Sequence, residues 1–154
     1  VYSGQRFSDY KRFDKKFIEG NNIVIRAKKT GQFSYIPINN KLKRLLDKYD
    51  WLFSTISSQK FNDHIHEICR IAGFTETVVR ERFYGNKKIS EDIPRYKLIS
   101  SHTARRTFIT ISEQRGVSHS LIMKVTGIRS LKTLENYIKI DKVRLSEAIL
   151  KAWN

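Results

Sequence analysis

Apolar and polar positions near the start of the chain follow the pattern of a β-hairpin. Residues 22–27 and 33–38 are rich in β-branched and aromatic side chains, which favour strands. Between them, Lys28-Lys29-Thr30-Gly31 predicts a tight turn, because glycine adopts backbone angles that other residues avoid. A short helix over residues 5–15 is predicted to precede the hairpin.

Elsewhere, apolar residues recur three or four positions apart, which predicts amphipathic helices. Leu42, Leu45 and Leu46 have this spacing in the first of them. The predicted helices cover residues 39–48, 58–72, 102–115, 130–137 and 141–153, and one more, capped by Ser118 or Ser120, reaches Thr126. Glycines follow three of these helices, at positions 73, 116 and 127, where glycine commonly ends a helix.

The helix over residues 102–115 carries an apolar stripe that we expect to face the core, formed by Ala104, Phe108 and Ile111. Residues 75–99 show no clear period: residues 75–84 could form a strand, and the rest has the polar composition of a loop. These patterns predict the α+β class, mainly α-helical, with a small antiparallel β-hairpin, in one domain of 154 residues.

Composition fits this class. The chain is 40% hydrophobic, and its single cysteine, Cys69, excludes an internal disulfide framework and a cysteine-based zinc site. No apolar run approaches the roughly 18 residues of a membrane span, so we expect no membrane partner and a cytoplasmic location. The sequence opens at Val1 without a methionine or a signal peptide, and we expect a fragment that lacks upstream domains.

Charge changes the picture most. The chain has 30 Lys and Arg residues against 15 Asp and Glu, a net charge of +15. Such an excess indicates an anionic polymer as partner, bound through its phosphates with release of counterions. A basic surface of the ribosomal-protein kind is the plainer interpretation, and it also points to nucleic acid.

One pair of side chains suits chemistry on a phosphodiester. His102 and Arg105 are three residues apart in a predicted helix, so they share one face. Arginine binds a phosphate with two charged hydrogen bonds, and histidine exchanges protons near neutral pH. Tyr137 could be a covalent nucleophile. Taken singly, His102 is more commonly explained as a surface histidine, and Tyr137, one of 7 tyrosines, as an ordinary partly buried aromatic residue.

Four segments together resemble the tyrosine recombinase (phage integrase) family. Residues 3–9 resemble the first arginine box of this family, and residues 27–31 with 35–38 its lysine hairpin box. Residues 101–108 resemble its H-x-x-R box, and residues 127–137 its tyrosine box. The four segments occur in the family's order between positions 3 and 137, so the resemblance extends over nearly the whole chain. The resemblance implies the family's catalytic-domain fold, mostly helical with a small antiparallel sheet.

The resemblance also implies a role for each matched residue. Arg6 and Arg105 would bind the scissile phosphate. His102 would hydrogen-bond the phosphate and assist removal of the proton from the nucleophile. Lys29 would be the general acid for the departing 5′ oxygen, with the neighbouring lysine as a rival. Tyr137 would attack to form a 3′-phosphotyrosyl link. Neither a metal ion nor another cofactor is implied.

Two positions beside these residues modify the expectation. Asp9, three residues after Arg6, would support the site, although a plain surface ion pair is the alternative. Ile128 stands where the family usually has histidine or tryptophan, and isoleucine cannot donate a hydrogen bond. Either Arg129 or His119 substitutes for that donor, or the chemistry is slower, or the domain binds DNA without cutting it.

The resemblance implies a site-specific recombinase that integrates or excises a mobile element in a bacterial cytoplasm, at the nucleoid. Its partners would be double-stranded DNA and further copies of itself, in a tetramer, with no small-molecule substrate. The helix over residues 141–153 could dock on a neighbouring copy or on its own domain. The alternatives are a non-catalytic DNA-binding protein, with residues 102–126 as a helix-turn-helix, and a type IB topoisomerase.

Overall fold

The structure is a computed structural model that describes residues 1–53, 56–138 and 150. Helices predominate over strands in this part of the chain, and the strands form two separate antiparallel sheets. The predicted class, α+β and mainly helical with a small antiparallel sheet, is confirmed. The helix predicted over residues 141–153 lies outside the described residues except at Leu150.

The first sheet contains the predicted hairpin. It consists of β1 (Ile18–Glu19), β2 (Asn22–Arg26) and β3 (Phe33–Pro37), in that order, and Ile23 pairs with Ile36 across the hairpin. The short strand β1 was not predicted. One face of this sheet is buried, in a cluster formed by Phe13, Ile23, Ile25, Ile36, Leu42 and Leu46.

The helix predicted over residues 5–15 is wrong in length. The first helix, α1, spans only Phe7–Tyr10, and a separate 3-10 turn spans Lys15–Phe17. The Asp14 carboxylate accepts the Lys16 N–H and starts that turn. Between the two, Phe13 enters the core of the first sheet. Burial of one aromatic ring therefore overrides the local helical pattern.

Two capped helices follow the first sheet. Helix α2 (Asn40–Lys48) begins where the Asn39 side chain accepts the Leu42 N–H, and helix α3 (Ser58–Ile71) is capped by Ser57. Leu42 and Leu46 bury one face of α2 against the first sheet. Both helices match their predicted ranges to within a residue or two.

The second sheet is a hairpin of β4 (Thr77–Tyr84) and β5 (Lys87–Pro94), followed by a 3-10 turn (Arg95–Leu98). The prediction of a polar loop after residue 84 is therefore wrong. Both faces of this hairpin are largely exposed, so its strands need no apolar alternation. Cross-strand ion pairs join it instead, with Arg80 bound to Glu91 and Lys88 bound to Glu81.

The last third of the chain forms three helices, α4 (Ser101–Gln114), α5 (His119–Thr126) and α6 (Leu131–Glu135). They enclose a second core of Ile109, Ile122, Ile128 and Leu134, and α5 packs on β3. Helix α6 ends two residues before the predicted end at position 137. None of the helices described is long and apolar enough to cross a membrane.

The buried stripe of α4 differs from the prediction. Its fully buried residues are Arg105 and Ile109, whereas Ile111 is 38% exposed. Ala104 and Phe108 are only partly buried. The predicted stripe did not include Arg105, which is almost completely buried although charged residues are rarely found in the interior.

Candidate active site

Helix α4 places His102 and Arg105 on one side of the domain. A capping box of Ser100 and Thr103 fixes the start of this helix, so His102 lies in the first turn and Arg105 one turn later. Arg105 is only 1% exposed, and its Nη1 donates to the Gly4 carbonyl at 2.9 Å. Its Nε and Nη2 are buried without a hydrogen-bond partner.

Gly4 explains how the N-terminal segment reaches Arg105. Its φ is +65°, and a Cβ at this position would lie 2.5 Å from the Phe108 ring. Only glycine allows the backbone carbonyl to approach α4 so closely without strain. The segment of residues 3–9 and the H-x-x-R segment are therefore adjacent in space as well as similar to boxes of one family.

Arg6 lies next to this contact, directly before α1. Its side chain is 19% exposed, and its Nη1 is buried without a hydrogen-bond partner, 3.7 Å from Asp9 Oδ2. Asp9 is completely buried, and its Oδ1 accepts the Lys28 N–H at 2.9 Å. The predicted proximity of Asp9 to Arg6 is thus observed, and the same carboxylate also holds the hairpin turn.

Tyr137 lies just beyond the end of α6 and contacts His102. The Tyr137 hydroxyl is 3.1 Å from His102 Nε2, and the two rings are 5.5 Å apart. The Arg106 guanidinium lies 5.9 Å from the centre of the Tyr137 ring. Phenol and imidazole, 35 positions apart in sequence, therefore meet at hydrogen-bond distance.

Burial and the surrounding cations lower the pKa of His102 below its usual 6.5, with Arg106, Arg105, Arg6 and Lys29 as the cations. His102 is therefore neutral at pH 7 and can accept a proton. Burial lowers the pKa of Arg105 to about 10, with a further decrease from Arg6 and a partial opposing effect of Tyr137. Arg105 still carries its charge at pH 7.

Lys29 lies in the turn between β2 and β3, and its side chain is exposed. Its ammonium group is close enough to His102 to contribute to the lowered pKa of the imidazole. Arg6, His102, Arg105 and Tyr137, which come from three separate segments of the sequence, therefore lie around one basic site, and Lys29 adds positive charge to it from the hairpin turn. The buried N–H groups of Arg6 and Arg105 without acceptors suit the oxygens of an anionic group.

Ile128 lies in the core beside this site. It is 4% exposed and packs in the second core, against which the Tyr137 ring also lies. Arg129 is exposed and lines a groove with Phe33, Tyr35 and Lys124, between β3 and α5. His119 is exposed at the start of α5. Ile128 thus supports the nucleophile segment by packing.

Sequence reasoning missed four residues near the site. Ser8, Ser58 and Ser101 line a cleft with Arg6, Phe7 and His102, and Arg106 contacts the Tyr137 ring. The position of Arg106 beside Arg105 was a usable signal. Ser58 had none, because α3 approaches the site only through the tertiary fold. Within the described ranges, no group of three metal-ligating side chains is found.

The chain is similar to known proteins in sequence and in fold. No family model matches the chain. It is similar to tyrosine recombinase XerA of Saccharolobus solfataricus, with 27% identity over 135 residues. The match covers 88% of this chain and 40% of that protein, so the chain spans less than half the length of this curated relative.

Solved structures share the fold. The chain matches a crystal structure of XerA recombinase with a TM-score of 0.68 and 17% identity, over 99% of this chain and 55% of that one. For the XerH site-specific recombinase in a post-cleavage complex with difH substrate, the TM-score is 0.63 with 18% identity. That match covers 96% of this chain and 42% of the XerH chain. For the Tn1549 transposon integrase in complex with circular intermediate DNA, the TM-score is 0.61 with 12% identity. That match covers 97% of this chain and 54% of the integrase chain.

Proposed function

We propose that the chain, which is similar to tyrosine recombinases in fold and in sequence, is a catalytic domain that cleaves and rejoins DNA strands through a covalent link to Tyr137. The observation that carries this proposal is the contact of Tyr137 with His102, beside buried guanidinium donors that have no acceptor. A phosphodiester group would satisfy those donors.

In the proposed cleavage step, Tyr137 Oη attacks phosphorus while the bond from phosphorus to the 5′ oxygen breaks. His102 Nε2, which lies 3.1 Å from Tyr137 Oη, accepts the phenolic proton. Arg6 and Arg105 bind the non-bridging oxygens and stabilise the charge of the pentacoordinate transition state. The product is a 3′-phosphotyrosyl link, which keeps the energy of the phosphodiester bond, so that rejoining needs no ATP.

Lys29 is the proposed general acid. Its ammonium group donates a proton to the departing 5′ oxygen, which leaves as a hydroxyl. Rejoining is the reverse reaction: a 5′ hydroxyl, from the same or another strand, attacks the phosphotyrosine and transfers its proton back to Lys29. Asp9 positions two of the proposed catalytic groups, because its carboxylate contacts Arg6 and accepts a backbone hydrogen bond from the turn that carries Lys29.

The proposed substrate is double-stranded DNA, held mainly through its phosphates by a chain of net charge +15. The DNA complexes of XerH and of the Tn1549 integrase support this choice. We further propose that the chain is the catalytic part of a longer cytoplasmic protein. That protein would integrate or excise a mobile element as a tetramer on DNA.

Trapping of the covalent intermediate tests the proposal. The 154-residue chain is incubated with a pool of nicked duplexes whose sequence around the nick is randomised. Cleavage near the nick releases a short fragment that diffuses away, so the adduct accumulates and its DNA can be sequenced. We expect adducts with the wild type, with the link mapped to Tyr137 by mass spectrometry. Tyr137→Phe should form none but should still bind DNA.

Two results would contradict the proposal. DNA binding without any adduct in the wild type would favour the non-catalytic DNA-binding alternative. Adducts spread over unrelated sequences, together with relaxation of supercoiled DNA, would favour a type IB topoisomerase over a site-specific recombinase.

A further inference from the structure

We propose that Thr30 is a positioning residue that fixes the general acid, Lys29, relative to the segment carrying the nucleophile. The proposal rests on the function proposed above. Thr30 follows Lys29 directly, and its Oγ1 donates to the carbonyl of Gly127 at 3.1 Å. This hydrogen bond joins two segments that are 97 positions apart, and Gly127 lies ten positions before Tyr137.

The backbone at Gly127 is shaped for this contact. Gly127 ends α5 with a φ of +64°, and a Cβ there would lie 2.6 Å from Ser34 Oγ and 3.2 Å from Ala27 Cβ. Both neighbours belong to the hairpin and are buried. The hairpin therefore packs directly on the end of α5, and the Thr30 hydroxyl lies at the edge of this close approach.

The other side of the turn is also held. Asp9 Oδ1 accepts the Lys28 N–H at 2.9 Å, and Arg26 Nε donates to the Gly31 carbonyl at 2.9 Å. Together with the bond from Thr30 to Gly127, these contacts give every residue of the turn except Lys29 a hydrogen bond to a side chain or to a residue outside the turn. The side chain of Lys29 is exposed, as is that of Lys28, whose backbone N–H is the group held by Asp9, so both ammonium groups project from an anchored turn.

Gly127 is fixed to the nucleophile through the second core. The next residue, Ile128, packs with Leu134, and the Tyr137 ring lies against the same cluster. A displacement of α5 and α6 therefore moves the Gly127 carbonyl together with Tyr137. Through Thr30, the lysine turn follows the same displacement.

This link has a chemical purpose. In an in-line displacement, the nucleophile and the leaving oxygen lie on opposite sides of phosphorus, so their donors must keep a fixed separation across the substrate. Lys29 and Tyr137 are these two groups, and they stand on elements that no covalent constraint holds together. The bond from Thr30 to Gly127 supplies a direct connection between the elements.

The test separates the general-acid step from the others by changing the leaving group. The probe is the duplex recovered from the trapped adducts, made once with the normal 5′ oxygen and once with a bridging 5′ sulfur. A thiol, with a pKa on the order of 8.5, leaves without a proton donor. Single-turnover cleavage is measured for wild type, Thr30→Val, Thr30→Ser and Lys29→Ala.

We expect Thr30→Val to cleave the oxygen substrate roughly 10- to 100-fold more slowly, as a displaced general acid should. On the sulfur substrate, it should cleave within about 3-fold of wild type, as should Lys29→Ala. Thr30→Ser keeps the hydroxyl group and should retain wild-type rates on both substrates. Thr107→Val is the matched control, because it removes a threonine hydroxyl that bonds only within α4, and its rates should not change.

The outcomes are distinguishable. Wild-type rates for Thr30→Val on the oxygen substrate would overturn the inference and leave the proposed function standing. An equal loss on both substrates would also overturn it, since a general disturbance of the fold does not depend on the leaving group. If the wild type cleaved neither the oxygen nor the sulfur substrate, the proposed function itself would instead be refuted.

Discussion

Replacement of Gly4 by alanine is a direct test of how Arg105 is held. Gly4 has a φ of +65°, where a residue with a Cβ is strained by roughly 1–2 kcal/mol. Its Cβ would also lie 2.5 Å from the Phe108 ring, and such overpacking typically costs about 1–3 kcal/mol. We therefore expect Gly4→Ala to lower the free energy of unfolding by about 2–5 kcal/mol.

Gly20→Ala is the matched control. Gly20 has a similar φ of +57°, but no heavy atom lies within 4 Å of a Cβ built there. This variant should show only the backbone strain of roughly 1–2 kcal/mol. The difference between the two variants, about 1–3 kcal/mol, isolates the contact with α4.

Urea denaturation followed by circular dichroism measures both variants. For an m-value of about 1–3 kcal/mol per molar urea, the difference corresponds to a shift of the midpoint on the order of 1 M. Because a displaced Gly4 carbonyl releases Arg105 Nη1, Gly4→Ala should also lose adduct formation, whereas Gly20→Ala should keep it. Equal stabilities of the two variants would refute the packing argument.

Three further predictions follow from the site. Arg105→Lys should reduce adduct formation by on the order of 10²–10³, because one ammonium group cannot replace the planar guanidinium; an unchanged single-turnover rate would contradict this. The lowered pKa of His102 means that the unfolded chain binds its proton first, so stability should fall as pH drops below the usual 6.5 towards the folded pKa. His102→Gln should remove that slope in unfolding titrations. Ile128→His places a polar ring in the second core and should cost about 2 kcal/mol or more, against roughly 0.5–1.5 kcal/mol for Ile128→Val, as thermal unfolding would show.

Some of the site could be predicted from the sequence because its segments have local signatures. His102 and Arg105 are one helical turn apart, and this spacing alone places them on the same face. Arg6 and Asp9 show the same spacing, and the structure brings them into contact. Their burial could not be predicted, since the acceptor for Arg105 is a carbonyl 101 positions away. A charged residue reads as exposed until its distant partner is known.

The sequence by itself determined the elements whose apolar residues repeat with a clear period, namely the hairpin of β2 and β3 and the helices α2 and α3. It also determined the helix ends at Gly116 and Gly127, because a helix commonly stops where glycine follows. These features depend on neighbours within a few positions. Local sequence is therefore enough to specify them.

Only the tertiary structure decided the rest. The strand β5 formed without apolar alternation because its partner strand supplies its hydrogen bonds and ion pairs. The contact of Tyr137 with His102, and the anchor from Thr30 to Gly127, join residues 35 and 97 positions apart. Such contacts depend on how the two cores pack, and no local pattern encodes the distance between segments that meet only in the folded chain.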